Sequence, residues 1–207
     1  MKIFVVGMPK SGRTTVSKAL SQIAGYRRID ASSWVKDSFR DQLADEHDQQ
    51  YHDELHIWLT NRMKNHPNMI ADNVRESIAA YNRHAEDDCI FVVDGIVSPR
   101  DFTNLFDINK DIVVFLNRTN NQEEYKDYES IGVSVMRDYC FWLSSADLIE
   151  KNRWFEYNFT IPGDDSNYVK NLGHKNSVFI VRSISKVISH LKDQLTHLQR
   201  PHAAIQS

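Results

Sequence analysis

Cysteine, proline and glycine are scarce in this sequence of 207 residues, which contains 2, 5 and 7 of them respectively. The two cysteines, Cys89 and Cys140, are too few for a disulfide framework, and their apolar surroundings predict packed thiols. A reducing cytoplasm is therefore the expected location. Because prolines and glycines interrupt helices and strands, their small number predicts long elements joined by short loops.

Long apolar runs and a strong excess of charge are absent as well. No segment approaches the apolar length of a membrane span, and no secretory pattern precedes the first short strand. A formal net charge of −3 argues against a basic coat for nucleic acid, although it allows a local basic patch. The length suffices for one core with a small inserted subdomain, so we expect a single domain over residues 1–200 and a frayed tail over 201–207.

What the sequence does contain is a glycine loop over residues 7–15, between an apolar strand and a helical pattern. Gly7 and Gly12 allow tight turns that point backbone N–H groups at an anion, and the helix starting near Arg13 adds its positive end. Thr14 offers a hydroxyl to Mg²⁺, and Arg13 keeps the positive charge where lysine is usual. This spacing favours a phosphate-binding loop over a plain glycine turn. The predicted phosphate contacts are Gly7, Met8, Pro9, Lys10, Ser11, Gly12, Arg13, Thr14 and Thr15.

Strands and helices alternate along the rest of the chain. Apolar runs that suit buried parallel strands alternate with segments of helical spacing, which predicts an open sheet covered by helices on both faces. With the glycine loop, this predicts the P-loop NTPase fold, a three-layer α/β/α arrangement with a mostly parallel central sheet. A small helical insertion over residues 31–86 is expected near the ligand-binding edge. The strands are predicted over 2–6, 26–29, 89–93, 112–116, 154–161 and 178–181, and the main helices over 13–24, 34–43, 55–63, 70–81 and 184–198.

Two acidic residues follow predicted strands, at the edge where such sheets bind ligands. Asp94 lies between an apolar strand and Gly95, where a carboxylate can hold the hydration shell of a magnesium ion bound to Thr14. Its alternative role is that of a strand-ending turn residue. Asp30 ends the second strand and could accept the proton of an attacking hydroxyl, or it could only cap the following helix. The sequence leaves both interpretations of Asp30 open.

Basic residues near the same edge are candidates for contacts with an acceptor phosphate. Arg100 follows Ser98 and Pro99 and could reach a phosphate of either substrate. Lys36 and Arg40 lie four residues apart on a predicted helix and could clamp an acceptor. Ordinary solvated surface charge would explain each of these side chains as well.

The first half of the chain resembles adenylate-kinase-like and polynucleotide-kinase-like P-loop kinases. The loop over residues 7–14 is similar to theirs, and Val93-Asp94-Gly95 followed by Pro99-Arg100 is similar to the Asp-Gly-x-Pro-Arg element of nucleoside monophosphate kinases, with two extra residues. The resemblance implies ATP and Mg²⁺ as cofactors, and it implies that residues 31–86 bind the acceptor. Those kinases also carry an arginine-rich lid after the strand that matches residues 112–116. The second half of this chain departs from that pattern, because its arginines are widely spaced, so we predict only a lid-like helical region over residues 119–153, with Arg137 as a candidate substrate contact.

The aromatic second half looks more like the bacteriophage kinases that phosphorylate 5-hydroxymethyluracil within DNA. The segments that carry this likeness are residues 138–142, 154–159 and 173–177. Such an activity requires a base to be turned out of the duplex and stacked on aromatic rings. Core packing is the alternative role for these rings.

The expected activity is therefore transfer of the γ-phosphoryl group of ATP to a hydroxyl, with Arg13, Asp30 and Asp94 as catalytic residues and Thr14 and Asp94 at the metal. The favoured acceptor is 5-hydroxymethyluracil in DNA, and a nucleoside monophosphate is the alternative. A nucleotide-binding switch without turnover is a further possibility. His52 and His56 have the spacing of a zinc pair, but their charged flanks favour a solvated helix face over a metal hydrolase. The oligomeric state is left open.

Overall fold

The computed structural model describes residues 1–7, 11–23, 26–40, 49–83, 89–96, 99–118, 154–159, 178–181 and 183–199. Within them, strands and helices alternate as the sequence predicts. The strands are β1 (Lys2–Gly7), β2 (Tyr26–Asp30), β3 (Ile90–Asp94), β4 (Ile112–Arg118), β5 (Trp154–Phe159) and β6 (Val178–Val181). The helices are α1 (Arg13–Ser21), α2 (Ala31–Arg40), α3 (Gln49–Asn65), α4 (Met69–Asn82), α5 (Pro99–Leu105) and α6 (Ile184–Gln199).

The six strands form one sheet in the order β2-β3-β1-β4-β5-β6, and every pair of neighbours is parallel. β1 lies between β3 and β4, so its apolar run is covered by strands on both sides and by helices above and below. The register pairs Asp30 with Asp94 at the ends of β2 and β3, and it pairs Gly7 with Leu116. Because the strands are parallel, Gly7, Asp30 and Asp94, the last residues of β1, β2 and β3, lie at the same edge of the sheet.

Alternate residues of β1 divide the core between the two faces of the sheet. Phe4 and Val6 pack with buried residues of α2, α4 and α5, whereas Ile3 and Val5 pack with buried residues of α1 and α6. Such complete burial on both faces is the reason for the continuous apolar runs of the central strands. The predicted three-layer arrangement is confirmed.

Element boundaries differ from the predictions mainly at helix starts. α2 begins at Ala31, three residues before the predicted helix over 34–43, and α3 begins at Gln49, six residues before the predicted helix over 55–63. Helix α5 was missed, because seven residues are too short to show helical periodicity. Three helices, α2, α3 and α4, follow β2 within the predicted insertion. The predicted lid over 119–153 and the tail over 201–207 lie outside the described residues.

None of the helices in the described residues is both long enough and apolar enough to cross a membrane.

Candidate functional site

The glycine loop begins where β1 ends. Gly7 has φ +146°, and a side chain at this position would overlap the backbone carbonyl oxygen of Leu116 on the neighbouring strand. Gly12 has φ +93° and immediately precedes α1, where an added Cβ would lie 2.7 Å from Ile184 Cδ1. Both positions therefore need the conformational freedom of glycine, as the loop prediction requires.

The N-terminus of α1 faces the loop without an acidic residue in its first turn and without a side-chain cap. In general, the first N–H groups of a helix have no partner within the helix, and with the helix dipole they make its N-terminus attractive to anions. Arg13 is the first residue of α1, and the side chains of Thr14 and Thr15 are exposed. Ser11 is buried, and its hydroxyl has no hydrogen-bond partner among the described residues. Met8, Pro9 and Lys10 lie outside the described part of the chain.

Asp94 ends β3 with its side chain only 3 % exposed. Its Oδ2 atom accepts hydrogen bonds from the hydroxyl of Ser17 and from Arg28, whose Nη2 is 2.9 Å away. Oδ1 is buried and has no hydrogen-bond partner within the described regions. Burial raises the pKa of Asp94, while the bonds from Ser17 and Arg28 oppose that rise.

Asp30 ends β2, directly beside Asp94 in the sheet. Its Oδ1 accepts hydrogen bonds from the backbone N–H of Ser32 at 3.1 Å and from the Ser32 hydroxyl at 2.7 Å, which is the N-cap arrangement for α2. Its Oδ2 forms an ion pair with Arg28 at 2.7 Å. Although burial opposes it, these bonds lower the pKa of Asp30, which makes the carboxylate a weaker base. The capping role is thus present in the structure.

Two further residues, Arg28 and Ser17, contact these carboxylates, and the sequence motifs did not predict them. Arg28 Nη2 contacts both carboxylates and joins Asp30 to Asp94. The two carboxylates raise the pKa of Arg28, against the effect of burial. The available signals were the two-residue spacing of Arg28 and Asp30, which places them on one face of a strand, and the position of Ser17 one helical turn after Arg13.

The start of α2 approaches the end of β3 closely at Gly95. Gly95 has φ +80°, and a Cβ there would lie 2.7 Å from the backbone nitrogen of Ser32. This close contact brings the cap of α2, including Asp30, against the residue that follows Asp94. The close approach of α2 therefore explains why glycine follows Asp94, which the sequence spacing alone did not show.

Of the residues predicted to contact the acceptor, the structure describes the side chain of Arg100. Arg100 is exposed on α5, and its Nε donates to Asn68 Oδ1 at 3.1 Å, which ties it to the start of α4. Lys36 and Arg40 belong to α2, but their side chains lie outside the described part of the chain. Arg137 lies outside the described residues altogether.

The aromatic residues of β5 lie in the core. Trp154 and Tyr157 are fully buried, and Phe155 is 8 % exposed. Trp154 stacks on Phe115, with ring centroids 5.3 Å apart. Core packing, which the sequence left as the alternative, is therefore the observed role of these three rings, and they are not available to stack on a flipped base. The other two segments of the bacteriophage-kinase likeness, 138–142 and 173–177, lie outside the described residues.

The oxygen atoms at this edge suit a magnesium ion. Mg²⁺ prefers oxygen ligands and is commonly held by one or two carboxylates, with phosphates and water completing its shell. The buried Oδ1 of Asp94, which has no hydrogen-bond partner among the described residues, is an oxygen of this type, and Thr14 has an exposed side chain at the start of α1. No cluster of three or more histidine, cysteine or acidic side chains that could hold a metal occurs among the described residues. The side chains of His52 and His56 are not among them.

Residues 3–130 match the family model of the AAA domain, which covers more than half of the chain. The chain belongs to the AAA domain family. For this AAA domain protein, the family match and the parallel sheet confirm the predicted P-loop NTPase α/β fold. A comparison with curated proteins yields no match.

Several solved structures are similar to this AAA domain chain at low sequence identity. Shikimate kinase from Aquifex aeolicus is 13 % identical, with a TM-score of 0.44 over 96 % of this chain and 98 % of that one. Shikimate kinase from Acinetobacter baumannii in complex with shikimate is 12 % identical, with a TM-score of 0.49 over 97 % of this chain and 95 % of that one. A sugar kinase from a Janibacter species is 10 % identical, with a TM-score of 0.39 over 94 % of each chain.

Proposed function

We propose that this protein is an ATP- and Mg²⁺-dependent phosphotransferase that moves the γ-phosphoryl group to a hydroxyl of a nucleotide-type acceptor. The observation that carries the proposal is the placement of Asp94. One oxygen of its buried carboxylate has no hydrogen-bond partner among the described residues, and it lies at the same sheet edge as the end of β1 and the start of α1. Nucleotide sites of P-loop proteins combine these three parts, since phosphoryl transfer depends mainly on positioning and charge neutralisation.

Each part has a proposed role. Backbone N–H groups of residues 8–14 hold the phosphates, and Arg13, with Lys10, offsets the negative charge of the transferred group. Thr14 and Asp94 hold the Mg²⁺ ion, which supplies further charge neutralisation when bound. Asp30 accepts the proton of the acceptor hydroxyl. Its Oδ1 accepts two bonds from Ser32 and its Oδ2 accepts one from Arg28, so the second lone pair of Oδ2 is the proposed acceptor of the proton.

The proposal also includes the identity of the acceptor, for which there are two candidates. The resemblance of the second half to bacteriophage DNA kinases favours 5-hydroxymethyluracil in DNA, although the burial of the β5 rings removes part of its basis. The Asp94-Gly95 and Pro99-Arg100 element favours a nucleoside monophosphate as the alternative. In either case Lys36, Arg40, Arg100 and Arg137 are the proposed contacts to acceptor phosphates.

An acceptor assay separates these possibilities. The protein is incubated with labelled ATP and Mg²⁺ together with DNA that contains 5-hydroxymethyluracil and with a mixture of free nucleotides. Label in DNA supports the first acceptor, and label only in free nucleotides excludes it and supports the second. Nucleotide binding without any transfer would instead favour the switch without turnover.

Replacement of Arg13 tests the loop itself. We expect Arg13→Ala to lower the transfer rate at least about a hundredfold, or about 3 kcal/mol, because one preorganised charge contact to the transferred group is lost. Arg27→Ala, an exposed arginine on β2, is the matched control. Turnover is measured with whichever acceptor is active, and thermal unfolding verifies the fold. A folded Arg13→Ala protein with normal activity would refute the assignment.

A further inference from the structure

Within the described parts of the chain, the hydrogen bonds to the Asp94 carboxylate all reach the same oxygen, Oδ2. Oδ2 accepts from the Ser17 hydroxyl, and Arg28 places Nη2 at 2.9 Å and Nε at 3.3 Å from the same atom. Oδ1 receives no hydrogen bond from any described residue, although it is buried. A buried carboxylate oxygen without a partner is costly, which indicates that a further group completes this site.

Arg28 is itself immobilised between two acids. Its Nη2 lies 2.7 Å from Asp30 Oδ2 as well as 2.9 Å from Asp94 Oδ2, and its side chain is only 20 % exposed. Because β2 and β3 are paired in register at Asp30 and Asp94, the guanidinium spans adjacent strands. The planar fork of arginine suits such a double contact, whereas a lysine ammonium cannot present the same donors.

Ser17 connects the same carboxylate to the helix that follows the loop. It is fully buried on α1, and its hydroxyl oxygen is also 2.6 Å from the carbonyl oxygen of Arg13. The first turn of α1, which carries Arg13 and Thr14, is therefore linked through Ser17 to the end of β3. The start of α1 and the Asp94 carboxylate are therefore joined through the side chain of Ser17.

We propose that Ser17 and Arg28 are positioning residues that fix the Asp94 carboxylate through Oδ2, so that Oδ1 is presented to the Mg²⁺ ion that accompanies the nucleotide. This inference rests on the proposed function. Mutation of residues that hydrogen-bond to a metal ligand, and so orient it, typically lowers metal affinity or activity by roughly ten- to a hundredfold. Neither residue needs to contact the metal or the nucleotide to have this effect.

Two variants test the inference without changing the charge of the site. Ser17→Ala removes only the hydroxyl, and Arg28→Lys keeps the positive charge but loses the fork. Binding of a non-hydrolysable ATP analogue is measured by calorimetry, once with Mg²⁺ and once with a chelator. We expect the gain in affinity due to Mg²⁺ to fall about tenfold or more in both variants, whereas affinity in the chelator stays at the wild-type value.

Two neighbouring residues provide matched controls. Ser21→Ala removes a hydroxyl from the same helix, where Ser21 donates to the carbonyl oxygen of Lys18 at 2.7 Å and lies one turn beyond Ser17. Arg27→Lys makes the same exchange as Arg28→Lys at the adjacent, exposed position of β2. Both controls should keep the full Mg²⁺-dependent gain.

The outcomes separate the inference from the proposed function. If the wild-type protein does not bind the analogue, or binds it equally with and without Mg²⁺, the proposed metal site is wrong and the inference fails with it. If the wild type shows the gain and folded Ser17→Ala keeps it, the positioning role is overturned while the proposed function stands. Loss of the gain in folded Ser17→Ala, with both controls unaffected, supports the inference even if Arg28→Lys does not fold.

Discussion

Gly7 is a residue at which the backbone leaves no room for a side chain. Its φ of +146° lies in the region that glycine favours, and the obstacle to a Cβ is a carbonyl oxygen of β4 rather than a movable side chain. At Gly12 the obstacle is the terminal methyl of Ile184, which can turn away. The two glycines of one motif therefore differ in how much a substitution should disturb the fold.

We expect Gly7→Ala to lower the free energy of unfolding by about 3 kcal/mol or more, because φ strain adds to a clash with fixed backbone. Gly12→Ala should cost about 1–2 kcal/mol, since the left-handed conformation is strained but Ile184 can give way. Urea unfolding of both variants measures the difference. Equal costs would contradict this account of the loop.

At the scale of elements, the start of α4 depends on another helix. Asn68 occupies the N-cap position but makes no side-chain cap bond, and its Oδ1 accepts from Arg100 and from Asn104 instead. The backbone N–H of Ala71, in the first turn of α4, donates to Oδ1 of the fully buried Asp101 on α5 at 3.1 Å. The short helix α5 thus supplies the carboxylate that a capping residue would otherwise provide.

Replacement of that carboxylate should destabilise the contact between α4 and α5. We expect Asp101→Ala to cost about 1–3 kcal/mol of unfolding free energy, because it leaves a buried N–H without its acceptor. Asp72→Ala is the matched control, since Asp72 lies in the same first turn but its side chain is 58 % exposed. Chemical unfolding compares the two variants, and a similar small cost for both would argue against the capping role of Asp101.

A second inter-element contact joins β5 to α6 and should respond to pH. The hydroxyl of Tyr157 lies 2.8 Å from Nδ1 of His190. Burial lowers the pKa of His190 below its ordinary value of 6.5, although Asp193 opposes this, and burial raises the pKa of Tyr157. The folded protein therefore favours the neutral imidazole, whereas the unfolded chain takes up a proton as the pH falls through that ordinary value.

It follows that the contribution of His190 to stability is present above its ordinary pKa and is lost as the pH falls toward the lower folded-state value. We expect His190→Gln to flatten the fall in urea midpoint between about pH 7.5 and 5.5. His66→Gln, at an exposed position between α3 and α4, should leave that fall unchanged. If the His190 variant keeps the wild-type slope, the Tyr157–His190 contact is not the source of the pH dependence.

At the scale of the whole molecule, the candidate site is built on strands of the central sheet, so ligand binding there should affect the stability of the whole fold. The ends of β1, β2 and β3 carry Gly7, Asp30 and Asp94, and buried residues of the same strands belong to the core on both faces of the sheet. A ligand bound at this edge would contact only the folded arrangement, because the unfolded chain does not bring these three strands together. Binding should therefore stabilise the entire domain.

We expect an ATP analogue with Mg²⁺, at about a hundred times its dissociation constant, to add about 2.7 kcal/mol and to raise Tm by about 5–10 °C. The Arg13→Ala variant should show a smaller rise at the same concentrations, because it binds the phosphates more weakly. Thermal unfolding with and without the ligand measures both values. An unchanged wild-type Tm would contradict nucleotide binding at this edge.

Local signals in the sequence were enough to locate the strands, the longer helices and the glycine loop, although not the short helix α5 or the helix starts. Strands such as residues 112–116 are apolar throughout because both faces of the sheet are covered, and the glycines of the loop mark turns that few other residues can make. These are properties of short segments, which depend on nearby residues and can be read without knowing what lies beside them. The fold class and the position of Asp94 at a strand end follow from the same local patterns.

Only the tertiary structure decided which side chains meet. Pairing of β2 with β3 brings Arg28 and Asp30 to Asp94, and packing of α1 on the sheet adds Ser17. The tertiary packing also buries Trp154, Phe155 and Tyr157 of β5 and places Asp101 at the start of α4. These contacts join residues that are distant in the chain, so they depend on strand order, register and helix packing, and no local pattern of residues encodes them.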